Sequence, residues 1–188
     1  MKTKLLLLFL FLSVSSYAQT DSVWLKKNIK SGMDSVSLSF EKKDWKTFAG
    51  LMHPSLIEMF GDKERFVTFI DEQMKTLLKE AEVNSMGSGN ILQLINFNNQ
   101  WQCVIESYLQ MTVDSMIVST ISSNVGVSFD NGLSWKFLRV TNGNETKVKE
   151  LIKGLSPEIQ IPYNKTEMGV TVEELLKKYK PAYPPKQD

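Results

Sequence analysis

The amino-acid sequence predicts an α+β fold: a curved antiparallel sheet of about four to six strands wrapped around about three N-terminal helices, with a short helical tail at the C-terminus. Three observations predict it. Apolar residues recur at helical spacing between positions 21 and 80. Apolar and polar residues then alternate with period two from 82 to 140. After 145 the chain returns to short helical patterns broken by glycine and proline. The 188 residues are 42% hydrophobic and 23% charged, which suits one globular domain with a core of its own.

Residues 1–18 differ from the rest. Lys2 and Lys4 give a basic start, Leu5 to Leu12 are unbroken apolar residues, and Ser16 and Ala18 are small. This is the pattern of a secretory signal peptide cleaved near Ala18, leaving Gln19 first. The run is shorter than the ~20 apolar residues of a membrane span. The single cysteine, Cys103, is far from it, so the pattern is not that of a lipid-anchored precursor. One cysteine also allows no internal disulfide. No later stretch is apolar enough to cross a bilayer. The mature chain is therefore expected to be exported, periplasmic or extracellular, with no membrane span.

Residues 21–43 read as a helix, with Val23, Ile29, Met33, Val36 and Phe40 on one face and Asp21 as its cap. Asp44 caps a second helix over Trp45 to Met52, which His53-Pro54 ends. Ser55 to Phe60 read as a short strand and Gly61 as a turn. Asp62 caps a third helix whose stripe of Phe66, Phe69, Ile70, Met74, Leu77 and Leu78 reads as core. Strands are then expected near Val83 to Met86 and Ile91 to Phe97, separated by a flexible Gly87-Ser88-Gly89. Asn98-Asn99 makes a turn into Trp101 to Val113. There the odd positions are mostly apolar and the even ones mixed, as in a half-buried antiparallel strand. Ile117 to Phe129 and Leu133 to Phe137 repeat the pattern. Glu145 to Gly154 reads as a helix, Glu158 to Ile161 as extended, and Thr171 caps a last helix before the proline-rich end 181–188.

Residues 128–135, SFDNGLSW, match the Ser-x-Asp-x-Gly-x-x-Trp box of sialidase-type propellers. A propeller repeats four-stranded blades, and this chain has one such box and no repeat. The stretch therefore reads as a hairpin turn, with Asp130 accepting backbone N–H groups, Gly132 free to take positive φ and Trp135 covering the base. The net charge of +1 gives no basic face for nucleic acid. No ligand spacing for a metal is legible, no cofactor motif is present, and Gly87-Ser88-Gly89 lacks the lysine of a phosphate loop. Asn144-Glu145-Thr146 and Asn164-Lys165-Thr166 fit the N-glycosylation pattern of a eukaryotic exported chain.

The order of helices, His-Pro, short strand, glycine, helix and long antiparallel strands resembles the NTF2-like (cystatin-like, SnoaL-like) superfamily. The resemblance rests on residues 44–70, DWKTFAGLMHPSLIEMFGDKERFVTFI, and residues 103–138, CVIESYLQMTVDSMIVSTISSNVGVSFDNGLSWKFL. It implies a domain over 19–162 and an appended helix and tail over 163–188. It also implies a cone with a pocket at its wide end, and dimerisation through the sheet. The superfamily holds isomerases, dehydratases and cyclases as well as non-catalytic binding modules, so fold alone does not choose between them.

Three side chains are candidates for chemistry. His53, the only histidine, can serve as acid or base or simply cap a helix end. Glu106 and Tyr108 share one face of a strand, where they would be base and oxyanion donor if that face lines the pocket, and surface groups if it does not. Cys103 alternates with apolar neighbours and reads as a buried thiol. With no convergent acid, base and donor set, the expected function is an exported, non-catalytic NTF2-like module in the cell envelope. Its pocket or sheet would bind a small apolar ligand or a partner protein, with a homodimer through the sheet face as one form. The alternative is a pocket enzyme of the isomerase, dehydratase or cyclase type using His53 or Glu106 as acid or base.

Overall fold

A computed structural model of the chain describes residues 22–179. Residues 1–18, expected to be a signal peptide, the expected cap Asp21 and the proline-rich stretch 181–188 lie outside them. Six helices and five strands are present among the described residues, and four of the helices precede the sheet.

Helix α1 (Ser22–Glu41) buries Leu25, Ile29 and Met33 on one face. Helix α2 (Trp45–Leu51) starts at Asp44, whose carboxylate accepts the Thr47 N–H at 3.0 Å and the Thr47 hydroxyl at 2.6 Å. The strand expected at Ser55 to Phe60 is instead helix α3 (Pro54–Met59). Pro54 occupies its first turn, where a missing N–H costs nothing and the fixed φ suits a helix. His-Pro thus starts a helix as well as ending one. Asp62 caps helix α4 (Lys63–Glu80) through the Arg65 N–H at 2.8 Å. The apolar stripe of α4 is less buried than its pattern predicts. Phe66 is its only buried residue, and Phe69 and Leu77 are 41% and 39% exposed. The helix leans on α2 through its Asp71 side, which accepts from the Trp45 indole at 3.0 Å. On the flank bearing Phe69, the Phe60 ring lies 4.9 Å away and covers it in part.

Strands β1 (Ala81–Phe97), β2 (Gln100–Val113), β3 (Met116–Ser128) and β4 (Lys136–Arg139) form a curved antiparallel sheet in that order. The two long hairpins turn through Asn98-Asn99 and Asp114-Ser115, all four at positive φ, which matches the twist of the flanking strands. β1 is continuous through Gly87 and Gly89, where a break was expected. The glycines make room for side chains of β2: a Cβ at Gly87 would lie 2.5 Å from the Tyr108 hydroxyl, and one at Gly89 2.8 Å from Glu106 Cβ. Register shifts along β1 bend this edge strand, which discourages pairing with another chain. A single parallel bridge joins Met52 to Phe137 at the β4 edge.

After β4 the chain crosses to the outer face of the sheet, away from α1. Helix α5 (Glu145–Leu151) and residues 152–161 cover it with Val148, Ile152 and Ile159 against Val104, Val125, Val127 and Leu138. The mixed, even-numbered face of β2 is therefore largely covered by the chain itself. Gln102, fully buried there, donates to the Gly154 carbonyl at 2.8 Å and accepts the Ser156 N–H at 2.7 Å. Residues 158–161 form no strand. Instead β5 (Lys165–Met168), unforeseen in the sequence, pairs with the half of β3 that β4 does not reach. Helix α6 (Val172–Lys178) then packs on the outer face, with Leu175 fully buried and the Val172 N–H donating to Gln110. A capping box between Thr171 and Glu174 starts it. Residues 163–179 thus complete the same sheet assembly.

Candidate functional site

His53 caps α3. Its Nδ1 accepts the Ser55 N–H at 3.3 Å, and the His53 backbone N–H donates to the Phe137 carbonyl at 2.9 Å. Phe129 lies 5.8 Å away, ring to ring, and shields it, leaving 5% exposed. Burial holds its pKa below the usual histidine value, partly opposed by Glu58. A protonated Nδ1 would also lose its capping role. Glu106 and Tyr108 are on the outer face of β2, opposite α1. The Glu106 carboxylate accepts from the Asn90 N–H at 3.2 Å and the Asn90 side-chain amide at 2.9 Å, which pins the irregular stretch of β1. Tyr108 lies across Gly87. Because His53 joins the β4 edge while Glu106 and Tyr108 join β1, the fold does not bring the three together. Cys103 is fully buried, and burial pushes its thiol pKa far up, so it is no nucleophile. Among the described residues no three metal-ligating side chains converge, and no helix is long and apolar enough to cross a membrane.

The box at 128–135 is consumed by its own turn. Asp130 accepts from the Ser128 hydroxyl at 2.8 Å, the Ser134 N–H at 2.8 Å and the Ser134 hydroxyl at 2.6 Å. Gly132, at φ +90°, packs so tightly on Leu25 that a Cβ would collide with it, and its carbonyl accepts from Asn28 of α1. Asn164 is likewise structural, accepting the Ser123 N–H at 2.9 Å and donating to the Val140 carbonyl at 2.7 Å.

The feature that stands apart is the inner face, the α1 side, toward the far end of the sheet. Cross-strand partners point to the same side of a sheet. The register therefore lines up Val83, Met111, Val118 and Met168, one from each of β1, β2, β3 and β5. The adjacent row is Met86, Leu109, Thr120 and Thr166, and the last is Ala81, Val113 and Met116. None of these belongs to the four buried hydrophobic clusters. Most are half-buried, and Met116 and Met168 are 48% and 68% exposed. A groove of about 600 Å³ lies beside them, bounded by Phe40, Leu78, Ala81 and Val83 and equally by the polar Glu41, Lys43, Glu82 and Asn84. The result is an apolar platform rich in methionine, an adaptable residue for contacting apolar surfaces.

A polar belt separates the platform from the core under α1. It comprises Ser88, Ser107 and Ser122 in one row and Asn124 with Arg139 in the next. The Asn124 amide donates to the Ser107 hydroxyl at 2.9 Å, and Arg139 Nη2 donates to the Ser122 hydroxyl at 2.8 Å. Arg139 stands where β4 ends and β5 begins along β3. It is an exposed residue, yet its guanidinium is crowded enough that desolvation lowers its pKa. The platform was legible in part: β2 of 14 residues spans ~46 Å, more than the ~30 Å of a 20-residue helix, so α1 alone could not cover it. Arg139 carried no signal, being one cation in a short strand.

Comparison with family models, curated proteins and solved structures finds no match to this chain.

Proposed function

We propose that the chain is an exported, non-catalytic binding module of NTF2-like architecture, and that the far half of its inner sheet face is the floor of a site for a small apolar ligand. The observation that carries this is the in-register row Val83, Met111, Val118 and Met168, which has no hydrophobic cluster above it among the described residues. Soluble proteins rarely leave a contiguous apolar surface open without a binding role. The helix-then-sheet order, the curved sheet and the Met52–Phe137 bridge are in keeping with a cone whose wide end holds the platform. The basic start and apolar run of residues 1–18 support export.

The test is titration with the neutral apolar dye Nile red. Saturable binding with dye emission shifted to the blue is expected, lost in Met111→Asp while the circular dichroism spectrum is unchanged. Absence of saturable binding, or binding indifferent to Met111→Asp, would overturn the proposal. So would a dimer in sedimentation that Met111→Asp converts to monomer, since a second copy would then be the occupant.

A further inference from the structure

Resting on that reading, we infer that the ligand is an amphiphile with an acidic head, a long-chain carboxylate, whose head group is held by Arg139 and whose tail lies on the methionine platform. The charge pattern selects this class. Of the two arginines in the chain, Arg65 has Asp62 at 3.5 Å. Arg139 has no carboxylate within ion-pair distance among the described residues; its one side-chain hydrogen bond there is to a serine hydroxyl. A guanidinium without a counter-charge beside it is a ready partner for an arriving anion. Guanidinium is also the group best shaped for a carboxylate, donating two parallel N–H bonds to its oxygens.

Position supports the same choice. Arg139 and Asn124 form one row across the inner face, Ser122 and Ser107 the next, then the mixed row of Met86, Leu109, Thr120 and Thr166, and then the apolar row at Val118. A head at Arg139 therefore meets hydroxyls beside it and methionines beyond. From the Asn124 row to the Val118 row is six residues along β3, about 20 Å, which matches the reach of a long acyl tail. The outer face offers no such site, because α5 and residues 152–161 occupy its near half and α6 packs on its far half.

Displacement of Nile red by oleate and by oleyl alcohol, each below its aggregation concentration, tests the inference. Oleate is expected to displace the dye at a concentration at least about 10-fold lower than the alcohol, as a charge-assisted hydrogen bond implies. Arg139→Gln should remove that difference without changing alcohol binding or the melting temperature, and Arg139→Lys should restore part of it. Equal displacement by acid and alcohol in the native protein overturns the acidic-head assignment and leaves the platform standing. An unchanged oleate affinity in Arg139→Gln does the same. If neither compound displaces the dye, the platform reading fails and the inference with it.

Discussion

Gln102 to Ile105 and Glu106 to Val113 are consecutive parts of one strand, yet the first four residues are fully buried and the next eight only half-buried. The second part is more polar, but composition is not the whole difference, since on the inner face Leu109, Met111 and Val113 are as apolar as Cys103 and Ile105. The remainder lies in what the rest of the chain places above each part. Over the near half, α1 lays Leu25, Ile29 and Met33 on the inner face, and Ile159 closes the outer one. Over the far half, α6 covers part of the outer face, and among the described residues no buried cluster forms inside. One half of the strand is therefore built into the core, and the other is the half to which the proposed binding role is assigned.

The comparison can be broken most directly by a pair of truncations. Phe137→Ala, in the core under α1 with 1% exposure, should cost about 3–5 kcal/mol in urea unfolding. Met111→Ala should cost about 1 kcal/mol or less. Equal losses would mean that the far half is core after all. A sharper probe of the outer cover is Gln102→Ala, which strips partners from the Gly154 carbonyl and the Ser156 N–H. A loss of about 1–3 kcal/mol is expected, with faster amide exchange confined to residues 152–161. No change in exchange there would show that other contacts hold this segment.

The smallest effect is one of pH and concerns the near edge, where His53 joins β4. Its folded pKa lies below the ordinary value of 6.5, so the unfolded chain takes up the proton first. The stability this provides is complete above pH 6.5 and declines as the pH falls through 6.5 toward the folded pKa. Urea midpoints measured from pH 7.5 to 5 should decline in the native protein and decline less in His53→Gln. Identical slopes would show that His53 is not the group responsible.

Much of the fold was legible because its causes are local. Asp44, Asp62 and Thr171 cap helices as their side-chain chemistry dictates. Asn98-Asn99 turns where two residues of left-handed preference meet. The period of β2 sorted its inner and outer faces, with Glu106 and Tyr108 together on one of them. Of the errors, one has a local cause and one does not. Ser55 to Phe60 is apolar enough for a strand, but Pro54 and the His53 cap favour a helix. Gly87 and Gly89 resembled a break because the sequence does not show that Tyr108 and Glu106 lie across them.

The site was much less legible. Its members come from β1, β2, β3, β4 and β5, and Arg139 becomes notable only through the carboxylates it lacks. The sequence by itself determined helix starts, turns, strand period and the α+β class, since each depends on residues within a few positions of one another. Only the tertiary structure decided which half of β2 is covered, because the covering groups arrive from far along the chain. Gly154 and Ser156 reach Gln102 across more than fifty residues, and burial is set by such distant segments, not by the strand's own pattern.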